Sequence, residues 1–179
     1  MMGETWQIRP ERPEDAEAIE ALDDDGFGPG RYAKAAYRLR EGVAPQDDLG
    51  FVAIENGVAV GSVRFWPIRV GAEEALLLGP LAVRSTLRGR GIGIALMQQG
   101  IEKARATGHA VILLVGDEAY YGRVGFVRIK PGSVRMPGPV DTRRILGLAL
   151  RPDALQTLSG DIRRARIDRP VCADGAALG

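Results

Sequence analysis

The chain has 179 residues, 45% hydrophobic and 26% charged, and its 24 Lys and Arg against 23 Asp and Glu leave a formal net charge of +1. These proportions describe a soluble globular domain and exclude a disordered or collagen-like chain, while the charge balance gives no chain-wide attraction to nucleic acid or an anionic membrane. The single cysteine, Cys172, forms no internal disulfide and with the single histidine, His109, supplies too few ligands for a zinc site, so no metal and a reducing cytoplasm are expected.

No stretch approaches the roughly 18 apolar residues of a membrane span, and Met1 to Pro10 does not read as a signal peptide. One domain over residues 1–166 is expected, with a flexible tail over 167–179. Trp6 and Ile8 predict a first strand. The segment Pro13 to Leu22 sets Ala16, Ile19 and Leu22 at helical spacing, with Glu14, Asp15 and Glu17 early, where the helix dipole favours anions. Asp23, Asp24 and Asp25, followed by Gly26, Gly28, Pro29 and Gly30, read as a solvated acidic turn before helical spacing resumes over Tyr32 to Arg40.

Phe51 to Ile54 and Val58 to Val63 are strands joined through Asn56-Gly57, residues that supply the positive φ of a tight hairpin. A polar turn around Gly71 to Glu74 precedes Ala75 to Val83, a buried strand interrupted at Gly79-Pro80, because proline cannot donate to the ladder. Then come a basic glycine loop over Arg84 to Gly93 and a helix with Ile94, Met97, Ile101 and Ala104 on one face, stopped at Gly108. Val111 to Val115 is a further strand. Asp117 starts a short helix closed by Gly125, strand character returns over Phe126 to Ile129 and again over Ile145 to Leu150, and Asp153 to Leu158 reads as a short amphipathic helix.

Between Glu74 and Glu102 there is no acidic residue, yet Arg84, Arg88 and Arg90 lie there beside Gly89, Gly91 and Gly93. Glycines admit a phosphate close to the backbone, the first N–H groups of a helix point at it, and arginine offers fork-shaped donors. A nicotinamide-binding strand, loop and helix fits poorly, since that fingerprint needs G-x-G-x-x-G at the strand end, and here five residues separate Val83 from Gly89.

Arg88-Gly89-Arg90-Gly91-Ile92-Gly93 resembles the pyrophosphate motif, (Arg/Gln)-x-x-Gly-x-(Gly/Ala), of the GNAT acyltransferases, which move an acetyl group from acetyl-CoA to an amine. Downstream, Tyr120-Tyr121-Gly122-Arg123-Val124-Gly125-Phe126 resembles that family's aromatic-Tyr-x-(Lys/Arg)-x-Gly-Phe segment. Leu78 to Val83 and Gly116 to Tyr121 are similar to the bacterial YhbS-like branch, and the similarity covers about residues 5–150. The resemblance implies an α/β (α+β) GNAT fold with a mixed, mostly antiparallel sheet of six to seven strands flanked by helices.

It also implies roles. Leu81, Ala82 and Val83 would pair with the pantetheine arm of acetyl-CoA, and the N–H groups of Arg88, Gly89, Arg90, Gly91, Ile92 and Gly93 would hold its pyrophosphate. The Leu81 N–H would polarise the thioester carbonyl. Tyr121 would protonate the departing thiolate, and Tyr120 would pack into the core. Leu77 stands where histone-type relatives carry a glutamate, so no general base is assigned, and a small-molecule or peptide amine would attack directly. The sequence is silent on oligomeric state, although many members of the family it resembles are dimers, which leaves a homodimer open. The alternative is a catalytically silent domain that binds CoA as a sensor or scaffold.

Overall fold

The computed structural model describes residues 5–27 and 35–165. Strand β1 (Trp6–Pro10) pairs antiparallel with β2 (Phe51–Glu55), which turns through Asn56-Gly57 into β3 (Val58–Val70). Asn56 and Gly57 have φ of 51° and 78°, as the hairpin spacing predicts. β3 turns back through Gly71-Ala72 into β4 (Glu73–Val83), antiparallel to it. Next in the sheet is β5 (Val111–Val115), parallel to β4, and beyond it β8 (Ile145–Ala149) and β6 (Val127–Arg128), both joined antiparallel.

The sheet is mixed and mostly antiparallel as expected, with nine strands among the described residues against the six to seven expected, seven of them on the path β1-β2-β3-β4-β5-β8-β6. Two further strands lie off that path: β9 (Gly160–Arg164) pairs with the far half of β3, and β7 (Val134–Arg135) pairs with β9. The sequence shows neither strand. β9 reads Gly-Asp-Ile-Arg-Arg, and only Ile162 is buried, so its place depends on the open edge of Ile68 to Val70 and not on its own pattern. The helix expected over Asp153 to Leu158 is a run of turns whose buried residue is Leu158.

Helix α1 (Ala16–Phe27) follows a 3-10 turn at Pro13–Asp15, and α2 (Ala35–Arg38) opens the next described segment. The acidic trio is therefore helical, contrary to the expected turn, and Asp23 is buried. α1 packs across β3 and β4, and Gly26 in its last turn lies beside Ala82. Packing thus extends the helix where local propensity would end it. Long helix α3 (Ile92–Ala106) buries Ile92, Leu96, Met97, Ile101 and Ala104 against the sheet, while Ile94 is only half-buried. Short helix α4 (Glu118–Tyr121) completes the set.

Side-chain alternation divides the core between the two faces of the sheet. Leu76, Leu78, Ile112 and Leu114 join the α3 side, whereas Ala75, Leu77, Val111 and Leu113 join Ile68, Val70 and Ile162 on the other. The Arg64 guanidinium, beside the kink in β3 and β4, grips the Glu11 carboxylate through Nε at 3.0 Å and ties the first loop to the sheet centre. Among the described residues no helix is long and apolar enough to cross a membrane. The tail expected over 167–179 lies outside the described residues.

Candidate active site

β4 and β5 stay paired only at Leu76 with Ile112 and Leu77 with Leu113, and then part. The cause is in β4. Between Leu78 and Leu81, Gly79 and Pro80 stand opposite the single residue Arg64, a bulge that bends the strand away from β5. Gly79 has φ of 128°, open to glycine alone, and its carbonyl accepts a 2.6 Å hydrogen bond from the Trp66 indole. Beyond the bulge, the Arg84 N–H bonds to the Val60 carbonyl on β3. Because an extended strand alternates direction, Leu81 and Val83 point their N–H and C=O groups the other way, into the gap facing β5.

Two cavities fill that gap. The smaller, about 340 Å³, is bounded by Leu81, Ala82 and Val83, the loop through Arg88, Gly89, Gly91, Ile92 and Gly93, and Tyr120, Tyr121 and Arg123. The larger, about 860 Å³, runs from Leu78 to Leu81 across to Val115, Gly116 and Asp117, and reaches Tyr37, Arg40, Asp141 and Arg144. Leu81, Arg88, Tyr120 and Tyr121 border both. The wall they form marks where a molecule in one cavity would meet a molecule in the other.

Gly91 is the N-cap of α3 with φ of 81°, and a Cβ there would meet nothing within 4 Å, so its backbone faces open space. The first N–H groups of α3 have no partner within the helix and carry the positive end of its dipole. Arg90, expected to contribute its backbone N–H to the cradle, turns its guanidinium to the Glu55 carboxylate at 3.1 Å and the Thr5 hydroxyl at 2.9 Å. Arg90 therefore anchors the loop to β1 and β2. Arg88 remains exposed and faces both cavities.

Tyr121 lies half-buried against Gly116, with the Tyr120 ring edge-on at 5.0 Å and Phe126 at 6.3 Å. Burial raises its phenol pKa above the ordinary 10, Tyr120 and Asp117 push the same way, and Arg144 and Arg40 oppose. Tyr120 packs against the core as expected but is only half-buried: it also borders both cavities, and its hydroxyl packs on Gly93, where even a methyl group would collide with it. Leu77 is buried on the opposite face of β4, so no carboxylate stands at that position.

Sequence reasoning missed Arg40. It follows α2, and its guanidinium packs on Gly79, where a Cβ would lie 2.7 Å from Nη2, and over the Trp66 ring at 5.9 Å from the centroid. Burial brings its pKa down to about 10 despite the nearby Asp23 carboxylate. No local motif marks such a residue. His109 lies away from both cavities, and among the described residues no group of three or more His, Cys, Asp or Glu could hold a metal ion.

Residues 16–128 match the model of the acetyltransferase (GNAT) family. The chain is 33% identical over 156 residues to the uncharacterized N-acetyltransferase YhbS of Escherichia coli strain K12, covering 86% of this chain and 92% of that one. The crystal structure of Escherichia coli YhbS in complex with CoA superposes with a TM-score of 0.77 at 31% identity over 90% of each chain. A GNAT-family acetyltransferase from Brucella melitensis in complex with acetyl-CoA gives a TM-score of 0.68 at 29% identity, covering 89% of this chain and 96% of that one.

Proposed function

The chain belongs to the acetyltransferase (GNAT) family, and from that premise we propose that it transfers an acetyl group from acetyl-CoA to the nitrogen of a small-molecule or peptide amine by direct attack. The observation that carries this reading is the parting of β4 from β5, which turns the free backbone groups of Leu81 and Val83 toward one cavity together with the α3 N-terminus and Tyr121.

The residues present suit acetyl-CoA. An unpaired strand edge matches the amide-bearing pantetheine arm, which can add to it as a further strand would. The diphosphate suits the N–H groups from Arg88 to Gly93, with the open space beside Gly91 admitting it and Arg88 adding charge. The cofactor supplies an acetyl group activated as a thioester.

The chain's own residues supply the rest. The Leu81 N–H, aimed into the gap, stabilises negative charge that develops on the carbonyl oxygen. Tyr121 Oη holds a proton at neutral pH and gives it to the leaving sulfur, whose own affinity for a proton is lower, near 8.5 by analogy with cysteine. The attacking amine must be neutral. With Leu77 in place of a carboxylate, its proton leaves to water, which the larger cavity admits.

Isothermal calorimetry with acetyl-CoA, together with an amine panel followed by CoA release, tests the reading. We expect binding that weakens at least tenfold in Gly91→Ala and transfer to one class of amines. Absence of binding heat, or binding indifferent to that substitution, overturns it.

A further inference from the structure

The acceptor's class is open on the proposed function, and the following rests on that reading. Among the described residues, the charges bordering the larger cavity are Arg40, Arg88 and Arg144 against Asp117 and Asp141. Asp141 is already engaged, accepting two hydrogen bonds from the Arg143 guanidinium and one from the Arg143 N–H. The exposed Asp117 is the remaining acid on that wall, and Asp23 stands behind Arg40. The cavity beside Tyr121 is therefore cationic.

Two of these cations sit near the place where the reacting nitrogen must arrive. Both Arg40 and Arg144 lie close enough to Tyr121 to act on its phenol electrostatically. The Arg144 backbone is held at the end of β5, where its carbonyl accepts from the Gly116 N–H at 2.9 Å, and its exposed side chain borders the cavity. Arg40 is fixed by Gly79 and Trp66, and its buried Nε–H has no hydrogen-bond partner among the described residues. A guanidinium held rigid and bordering a cavity can offer its terminal N–H groups to a planar anion there.

We infer that the acceptor is an amine bearing a carboxylate close to its nitrogen, an amino-acid-type substrate whose carboxylate is held by Arg40 and Arg144 while the nitrogen faces the acetyl group. Polyamines and aminoglycosides, which bring several positive charges, meet repulsion at this wall.

The test compares the common α-amino acids, each beside its carboxamide and its decarboxylated amine, in CoA-release kinetics with wild type, Arg40→Met and Arg40→Lys. CoA affinity by calorimetry and melting temperature are measured for all three proteins, as is thermal stabilisation of the free protein by the N-acetylated acids. We expect the acid to exceed its carboxamide on the order of a hundredfold in kcat/KM. Arg40→Met abolishes that preference and the stabilisation by acetylated acids while CoA affinity stays unchanged, and Arg40→Lys restores part of both. Equal or better use of the carboxamide or the amine by wild type overturns the inference, as does an Arg40→Met variant that slows all three substrates alike or loses CoA binding with its stability. CoA binding without transfer to any acid overturns the inference alone. Failure to bind CoA removes the transfer reading, and the acceptor falls with it.

Discussion

Replacing Tyr121 with Phe isolates a single oxygen atom. The ring keeps its seat against Gly116, Tyr120 and Phe126, so the fold and the cavity wall persist and the melting temperature should move little. What disappears is the proton donor. Burial raises the Tyr121 phenol above 10, so wild type carries the proton throughout the neutral range, and its loss by titration begins only at strongly alkaline pH. General acid catalysis contributes about 10²–10⁴-fold, which corresponds to about 3–5 kcal/mol of barrier. We therefore expect kcat to fall by that factor in Tyr121→Phe while the Kd for CoA changes by less than about threefold, since the hydroxyl serves departure and not binding. Initial rates of CoA release against pH, with CoA affinity measured separately, check this. A variant that retains wild-type kcat across the whole pH range refutes the assignment, and one that loses CoA affinity and kcat in proportion makes Tyr121 part of the binding wall.

Gly91→Ala should cost the protein itself only about 1 kcal/mol, the penalty of a left-handed residue with a side chain, because its Cβ would meet nothing. A melting point nearly unchanged beside a weakened CoA complex is the expected pattern, and a large loss of stability refutes it. Asp15 is buried, bound to the Arg9 guanidinium at 2.7 and 2.8 Å and to the Arg12 N–H, so Asp15→Asn should destabilise by about 2 kcal/mol at neutral pH. Arg9 holds that carboxyl below its ordinary 3.8, so wild type has its full advantage above that value and loses it as pH falls through the lower folded one; denaturation midpoints that differ equally at about pH 7 and about pH 2 refute the pairing. Gly100→Ala drives a methyl group to within 2.5 Å of Phe65 Cζ in the core, a cost of about 1–3 kcal/mol against about 1 kcal/mol gained in helix propensity. The melting temperature should drop, whereas a rise would show that the α3 contact yields freely.

The local parts of this protein are legible in its sequence because each depends on neighbours a few residues away. Asn56-Gly57 dictates its hairpin, Gly79-Pro80 breaks its strand, and the loop from Arg88 to Gly93 must start a helix with its N–H groups exposed. The same locality makes the motif around Tyr121 recognisable. Other features depend on residues brought together only by folding. The acidic trio becomes helical because α1 packs on β4 at Ala82, and β9 forms because β3 leaves an edge at Ile68 to Val70. The Arg90 guanidinium turns to Glu55 because Glu55 is within reach, and Arg40 joins the cavity because Gly79 and Trp66 make a seat for a guanidinium distant in the chain. A pattern of short-range periodicity carries no record of such meetings: their energy lies in the desolvation and pairing of charges whose separation the completed sheet alone determines.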